Sequence, residues 1–350
     1  MNKEILILLK RIIYFLSPFV FLLLLYVILD PFKVVKKYES YYISDGIQVV
    51  TLNNDYVSTS TFDNNYSTYK YNSFIFGNSR SRFYEIADWK SHIDSSSNCF
   101  HFDASVESLY AILKKVKYLE NKNVDMNNVL FIIDYSTLKQ ITPRSGHLFI
   151  ISPQLENYKN ISDFHLTFIK AFFTPEFAIA YLDYKIRGEV KSYMKKNSLL
   201  NDSPMHYDLK TNEESFPHFE ELIDKGKYYT PERMKVFEKR DTIQQFSPVV
   251  ILDKQKQMLQ EINDIFKKHK TDFKVIVNPL YDQIKLNESD LEYLRSLFGE
   301  ERVFDFSGIN DFTNDFHNYY EASHYRPHVA RQILDLIYKD ENLMDKNASR

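Results

Sequence analysis

Three side chains near opposite ends of this 350-residue chain have the types that nucleophilic acyl chemistry uses. Ser79 follows an apolar run that stops at Gly77, in FIFGNSRS, so we expect it at the end of a strand. A serine hydroxyl is a weak nucleophile unless a base takes its proton. His324 is the candidate base, and Glu321 is the candidate carboxylate that orients its ring. The simpler alternatives are a plain Gly-x-Ser turn and a surface histidine beside a helix.

The rest of the chain predicts a framework that brings these residues together. Apolar runs and amphipathic stretches alternate five times, which favours a parallel sheet covered by helices on both faces. Ligands of such sheets bind at the carboxyl ends of the strands, where Ser79 and His324 both fall. The predicted strands are 73–77, 98–105, 128–136, 272–282 and 302–308, and the predicted helices are 82–90, 106–122, 253–270, 288–299 and 326–339.

Residues 12–29, IIYFLSPFVFLLLLYVIL, contain no charge over eighteen positions, or about 27 Å of helix. The stretch ends without the small-residue pattern of a cleavage site, so it predicts an uncleaved anchor in the lipid bilayer. Basic residues flank it on both sides, at Lys3, Lys10, Arg11, Lys33, Lys36 and Lys37. Because these charges balance, they barely distinguish the two orientations. The common arrangement places a large carboxy-terminal domain outside the cytoplasm, and this is the expectation here.

The chain is divided accordingly. We expect an anchor over 1–32, a polar lead-in over 33–70, and an α/β domain over 71–345. A segment at about 140–245 interrupts the alternation with an aromatic helical stretch and then a polar run. It is interpreted as an insertion that forms a lid or a docking surface. Extra helices that complete the core are the open alternative.

Composition excludes some classes of protein and site. With 44% apolar residues and a net charge of −3, the chain has ordinary globular composition and no nucleic-acid-binding character. Cys99 is the only cysteine, so neither an intrachain disulfide nor a cysteine-based zinc site can form. No spacing of histidines and acids demands a metal, and we expect no cofactor.

The predicted nucleophile needs donors for the negative charge that forms beside it. The amides of Ser79, Ala104 and Ser105 are the candidates, together with the amino terminus of the helix expected after Ser79. Asn78 and Asp134 are further candidates for contact with the oxyanion or the substrate. Gly77 is expected to permit a tight turn and to leave space for the substrate. Arg80 and Arg82 flank the serine and either hold an anionic group of the substrate or pair with nearby acids.

Three blocks of residues resemble the SGNH (GDSL-like) hydrolase family. FGNSRS is similar to the block that bears the nucleophile, EASH to the final Asp-x-x-His block, and FHFDASVES falls where the second block lies. The resemblance covers roughly 70–140 and 245–340. With the anchor, it is greatest to the membrane-anchored branch, which includes proteins similar to the D-alanyl transfer protein and proteins associated with membrane-bound O-acyltransferases in polysaccharide acetylation.

The resemblance implies a flavodoxin-like three-layer α/β sandwich with a helical insertion and one transmembrane helix. It also implies an extracytoplasmic esterase or acyltransferase, in the periplasm or at the cell surface. Its substrate would be ester-linked acyl groups, acetyl first, on a glycan or envelope polymer. Ser79, His324 and Glu321 would form the triad. The alternative is a non-catalytic accessory protein on the same scaffold that partners a membrane-bound O-acyltransferase.

The sequence departs from the family pattern in four places. Asn78 stands for an aspartate, Glu321 for an aspartate, and the second block lacks its glycine. The third block ends with Asp134 and Ser136 where the family has an asparagine that completes the oxyanion hole. Asn278 lies on a later strand and is not counted as a replacement. Further candidates are Asp305, Asp311 and Asp315 as alternative acids, and Arg144 and His147 as groups able to reach the same edge.

Overall fold

The computed structural model describes residues 3–348, and within them the side chains of all but 197–198 and 340–348. Its centre is a five-stranded, fully parallel sheet in the order β2-β1-β3-β4-β5. The strands are β1 (Ser73–Phe76), β2 (Cys99–His101), β3 (Asn128–Ile133), β4 (Asp272–Val277) and β5 (Val303–Asp305). The predicted parallel α/β sheet is confirmed, and its strand order is that of flavodoxin-like sheets.

Helices cover both faces of the sheet because the central strands are apolar on both sides. One face packs against the helices Asn54–Tyr69, Leu109–Asn121, Asp253–His269 and Glu288–Phe298. The other packs against the helices Ile86–Lys90 and Pro327–Ala348, through residues such as Trp89 and Ile333. All four residues of β1 are buried, as a strand with neighbours on both sides requires.

The side of the sheet on which successive strands are added changes at β1. The chain leaves β1 towards β2 on one side, then returns to place β3 on the other side. This reversal opens a crevice at the carboxyl ends of the two strands, the usual ligand position in open α/β sheets. Ser79 lies two residues beyond Gly77, at the mouth of that crevice.

The amino-terminal helix Lys3–Leu29 is long and apolar enough to cross a membrane. Tyr26, near its end, is buried, and its ring lies 5.3 Å from that of Phe172. Asp30 then turns the chain with φ +38°, and its carboxylate accepts hydrogen bonds from the amide of Val34 at 2.9 Å and the hydroxyl of Tyr38 at 3.0 Å. The apolar helix is therefore joined to the domain by specific contacts.

Residues 33–70, predicted as a lead-in, are part of the packed domain. They contain the strand Asp45–Ile47 and the helix Asn54–Tyr69, whose Phe62 is fully buried against the sheet-covering helices. The helix was missed because its buried face is built from Val57, Ser58, Thr59 and Thr61, which are mostly polar and give no apolar period. Asn53 begins the helix by accepting the amide of Tyr56.

The segment predicted as an insertion has two parts. The first contains the helices Ile161–Phe172 and Pro175–Arg187, which pack on the base of the amino-terminal helix. The second contributes Pro204–Asp208 and Glu213–Ser215 to an antiparallel sheet with Asp45–Ile47. It then crosses the crevice with the short helices Pro217–Asp224 and Pro231–Met234.

The remaining elements are short. Gln245–Phe246 pairs in parallel with Ile284–Lys285, and Tyr319–Glu321 forms a hairpin with His324–Tyr325. The other short helices and helical turns are Ser79–Phe83, Tyr135–Lys139, Pro153–Glu156, Ser192–Ser198, Glu300–Arg302, Asp311–Asn314 and Phe316–Asn318.

Candidate active site

The structure brings together the three residues that the sequence suggests for acyl chemistry. The Oγ of Ser79 lies 2.7 Å from Nε2 of His324, and the Nδ1 of His324 contacts Oε1 of Glu321. Ser79 and His324 are both partly exposed to solvent. This is the connectivity in which a base can take the proton of a hydroxyl while a carboxylate orients the base.

A tight hairpin explains why a Glu-x-x-His spacing works here. Glu321 and His324 are directly opposite each other in the two-stranded hairpin, with only Ala322 and Ser323 in the turn. Side chains of opposed residues on an antiparallel pair lie on the same face and in contact. The longer glutamate therefore reaches the imidazole without a helical turn between them.

The carboxylate of Glu321 is held in its charged form. Burial raises the pKa of this group, but hydrogen bonding and charge attraction from His324 outweigh burial and leave the pKa below its ordinary value. The amide of Ser323 also donates to Oε2 at 2.8 Å. A charged Glu321 keeps the Nδ1 proton of His324 directed towards itself, so Nε2 is available to Ser79.

The turn after β1 differs from the helix predicted over 82–90. Ser79 is the first residue of a short 3₁₀ turn, Ser79–Phe83, and the α-helix Ile86–Lys90 follows only later. Asn78 caps the turn by accepting the amide of Arg80 at 3.0 Å. The anion-stabilising contribution expected from the amino terminus of an α-helix directly after Ser79 is therefore absent at this point of the described chain.

Gly77 is required by packing, not by the substrate. A Cβ at this position would lie 2.8 Å from the Cβ of Ser81 and 2.9 Å from the carbonyl oxygen of Ile132. The strand end therefore passes too close to β3 for any side chain. The expectation that Gly77 frees space for the substrate is wrong, because protein atoms occupy that space.

Arg80 pairs with an acid and also supports the histidine loop. Its Nη1 lies 2.8 Å from Oδ2 of Asp134, and its Nε donates to the carbonyl of Ser323 at 2.8 Å. Burial raises the pKa of Asp134, but the Arg80 charge and hydrogen bonds from Ser136 and Asn78 hold it below its ordinary value. Of the two alternatives for Arg80, the structure therefore shows pairing with an acid.

Asp134, at the end of β3, therefore stabilises the fold and does not bind substrate. It caps the helix Tyr135–Lys139 through the amide of Thr137 and also accepts the side-chain amide of Asn78 at 2.7 Å. Asp134 is 1% exposed, which leaves it no surface from which to contact a substrate. Its contacts fix the loop of the candidate nucleophile relative to β3.

Arg82 joins three parts of the fold. Its Nη1 lies 2.8 Å from Glu214, its Nε lies 3.7 Å from Asp103, and its Nη2 donates to the hydroxyl of Ser105 at 3.0 Å. Burial lowers the pKa of Arg82, but attraction to Glu214 and Asp103 reverses this effect and raises it. Arg82 therefore ties the turn after β1 to the loop after β2 and to the insertion.

The candidate oxyanion donors are reduced to two amides. The amide of Ala104 already donates to the carbonyl of Gly77 at 3.3 Å, so it is not free to bind a substrate oxygen. The amides of Ser79 and Ser105 remain, and neither donates to another described residue. Asn278 is fully buried, and its Oδ1 accepts the hydroxyl of Tyr325 at 2.9 Å, so it does not replace the missing asparagine.

A crevice of about 220 Å³ opens beside Ser79 and His324. Its walls are mainly aromatic and include two arginines and one glutamate. The lining residues are Ser79, Arg82, Phe83, Phe216, Phe219, Tyr228, Arg233, Tyr320, Glu321 and His324. A second cavity of about 150 Å³ shares Arg82 and Phe216 with it and has more polar walls.

The insertion supplies one wall of the crevice and is fastened to the histidine hairpin. The guanidinium of Arg326 donates to both carboxylate oxygens of Glu220, at 3.1 Å and 2.5 Å. The hydroxyl of Tyr229 donates to the carbonyl of Tyr319 at 2.9 Å. Bidentate pairs of this kind fix geometry as well as adding energy, so the wall is held in place.

Sequence reasoning missed Phe216, Phe219, Tyr228 and Arg233, which lie in the part of the insertion regarded as a polar run. The available signal was weak. Phe216 and Phe219 are spaced to share one face of a short helix, in an otherwise charged stretch. Only the folding of this segment onto the hairpin shows that the face covers Ser79.

The alternative acids and the other groups expected near the site do not contact Ser79 or His324. Asp315 pairs with His317, Asp305 accepts the amide of Ser307, and Asp311 begins a short helix. His147 packs on Phe32, with ring centroids 5.1 Å apart, where burial lowers its pKa. Arg144 lines a separate small cavity with Ala104 and Ser105. Glu321, not one of the three aspartates, contacts His324.

No group of three or more potential metal ligands occurs in the described residues. No family model matches the chain, and no curated protein matches its sequence. The geometry of the crevice therefore carries the functional argument by itself.

Proposed function

We propose that this protein is a membrane-anchored serine esterase or acyltransferase of the SGNH-hydrolase type. It acts outside the cytoplasm on ester-linked acyl groups, acetyl first, of a cell-surface glycan or a related envelope polymer. The single observation that carries the proposal is the relay from Ser79 through His324 to Glu321, at the carboxyl end of a central strand. The crevice beside that relay supplies a place for the ester.

The first half of the reaction forms an acyl-enzyme. Ser79 Oγ attacks the carbonyl carbon of the ester while His324 Nε2 takes its proton. The amides of Ser79 and Ser105 stabilise the negative charge on the carbonyl oxygen. The C–O bond to the alcohol then breaks, and the protonated His324 returns its proton to the departing alkoxide. Glu321 stabilises the imidazolium throughout.

The second half reverses these roles. The acceptor is water in hydrolysis or a sugar hydroxyl in transfer. His324 takes a proton from the acceptor, the acceptor oxygen attacks the acyl carbon, and Ser79 leaves with the proton from His324. No cofactor or metal takes part in this scheme.

The amino-terminal helix supports the anchored form of the proposal. Cleavage after this helix would remove Tyr26 from its contact with Phe172 and leave an apolar surface on the domain. The contacts of Asp30 with the following backbone also depend on an intact chain at this point. Retention of the helix keeps Tyr26 and Leu29, at its end, packed against the domain.

A second candidate function is a non-catalytic accessory protein that docks onto a membrane-bound O-acyltransferase. Among the described residues no side-chain donor joins the two backbone amides in the oxyanion region. This favours the accessory function, because loss of one such donor typically costs about 10²–10³ in rate. Exposed apolar side chains on the two helices at the anchor base also favour it, notably Leu166, Ile179 and Ile186. In this case Ser79 would bind without forming an acyl-enzyme.

Labelling with a fluorophosphonate probe distinguishes the two functions, since only an activated serine reacts. Full-length protein in detergent should label, and Ser79→Ala should not. Ser323→Ala, which removes an exposed hydroxyl next to His324, is the matched control and should label normally. A wild-type protein that remains unlabelled and inactive on aryl acetates and acetylated glycans would favour the accessory function.

A further inference from the structure

Arg233 has an unusual environment in the crevice. Its guanidinium carbon lies 4.0 Å from the ring centroid of Tyr228 and 5.3 Å from that of Phe219. Its side chain also approaches the hydroxyl of Tyr228. These neighbours are uncharged. No carboxylate in the described part of the chain pairs with Arg233.

The other arginines around the site are neutralised. Arg80 pairs with Asp134, Arg82 with Glu214, and Arg326 with Glu220. The fold therefore places a carboxylate beside each of these guanidinium groups but not beside the one that faces the crevice from the insertion. An unpaired positive charge among aromatic rings attracts an anion more strongly than one already paired and solvated.

Contact with Tyr228 engages only part of the five-donor guanidinium of Arg233. Cation–π contact with an aromatic ring does not consume the N–H donors of a guanidinium, so the remaining donors can bind an anion. The guanidinium fork matches the two oxygens of a carboxylate or a phosphate. The short helix Pro231–Met234, capped by the hydroxyl of Thr230, holds Arg233 in this position.

We propose that Arg233 forms a subsite for an anionic group, a carboxylate or a phosphate, on the substrate whose ester is presented to Ser79. This inference rests on the proposed function for the position of the ester. The substrate then carries a carboxylate or phosphate near its acyl ester. The aromatic walls contact its apolar faces, and Arg233 selects its charge.

Matched substrate pairs test the subsite with full-length protein in detergent. One pair is an acetylated methyl glucoside and the corresponding acetylated methyl glucuronide. The other is 1-acetylglycerol and 1-acetylglycerol 3-phosphate. The ratio of kcat/KM for the anionic over the neutral member should exceed one in at least one pair, and the preferred pair identifies carboxylate or phosphate as the anion.

Substitution of Arg233 should change that ratio. A charged hydrogen bond contributes enough that Arg233→Gln should reduce the ratio about 10- to 100-fold. Arg233→Lys should restore part of it. The control is Arg187→Gln, which alters an exposed arginine paired with Asp183 and should leave the ratio unchanged. An unchanged ratio in Arg233→Gln, with a normal Tm, overturns the subsite.

A binding measurement separates this inference from the proposed function. The Ser79→Ala variant is titrated with methyl glucuronide and glycerol 3-phosphate by calorimetry, with and without Arg233→Gln. Arg233-dependent binding without turnover by the wild type would retain the subsite and reject the enzyme. Turnover without charge preference would retain the enzyme and overturn the subsite. Absence of both would overturn both.

Discussion

The hydroxyl of Ser79 and the Nε2 of His324 are 2.7 Å apart although 245 positions separate them in the chain. Two different elements produce this contact. The serine is placed by the end of a central strand, and the histidine by a hairpin that precedes the last helix. Parallel strands bring both ends to one edge of the sheet, so a long separation in sequence becomes a direct contact.

The two residues should behave as one unit in kinetics. Ser79→Ala should reduce ester turnover to background with little change in Tm, because Ser79 is partly exposed and its hydroxyl contacts only His324 among the described residues. His324→Ala should cost nearly as much, and the double variant little more than either. Steady-state rates on an aryl acetate measure this. An active Ser79→Ala protein would end the nucleophile assignment.

Removal of the Glu321 charge should have a smaller effect. Glu321→Gln loses the orientation of His324 and the stabilisation of its imidazolium, and a loss of up to about 10⁴-fold in kcat is expected. Asp315→Asn is the matched control, since Asp315 pairs with a different histidine, His317. If the control lost activity and Glu321→Gln did not, Asp315 would replace Glu321 as the acid.

The buried carboxylate at the end of β3 should make stability depend on pH. The pKa of Asp134 is below its ordinary value in the folded protein, so its charge contributes stability above the unfolded pKa, near 4. That contribution is lost as the pH falls through the lower, folded pKa. The difference in unfolding free energy between wild type and Asp134→Asn should therefore be constant above about pH 5 and shrink below it. Urea unfolding at several pH values measures it, and a difference that grows in acid would contradict the assignment.

The ion pair between Arg82 and Glu214 should be important for stability. Arg82→Met leaves two acids without their cation in a buried site, which typically costs about 3–5 kcal/mol. The combined variant Arg82→Met with Glu214→Leu should recover part of the loss, since it removes one of the two uncompensated charges. Chemical unfolding of the four proteins of this cycle gives the coupling energy. A coupling energy near zero would show that solvent already screens the pair.

The amino-terminal helix should remain on the protein. Full-length protein should resist extraction from membranes by high salt and by carbonate, and its mature form should keep residues 1–30. A chain that begins at Asp30 should be more stable than one that begins at Tyr38. The shorter chain lacks Phe32, which is buried with its ring centroid 4.7 Å from that of Phe177. Recovery from cells of a chain without its first thirty residues would reject the anchor.

The sheet could be predicted from sequence because its strands are short apolar runs between amphipathic helices. The Ser79–His324–Glu321 group could also be proposed, since strand ends and chain order determine which residues share an edge. The helix Asn54–Tyr69 could not, because its buried face carries serine and threonine. Tertiary contacts, not periodicity, decide its position.

The same limit applies around the crevice. The sequence allows Arg80 and Arg82 to bind either the substrate or acids of the protein. Only the folded chain shows that Arg80 pairs with Asp134 and Arg82 with Glu214. The engagement of the Ala104 amide by Gly77 likewise depends on the distance between two loops. The sequence identifies nearby arginines and amides, but it does not show which of them already bind other groups of the protein.

The joint at Asp30 has a consequence for which substrates the proposed enzyme can reach. A flexible linker would let the crevice sample a broad volume above the bilayer, growing with linker length. Here the carboxylate of Asp30 ties successive amides together directly after the apolar helix, and Tyr26 is packed into the domain. In the proposed anchored protein, these contacts would hold the crevice at a nearly constant height above the bilayer. Only polymer segments that pass at that height would reach Ser79. Insertion of residues after Asp30 should therefore change which part of a polymer is modified.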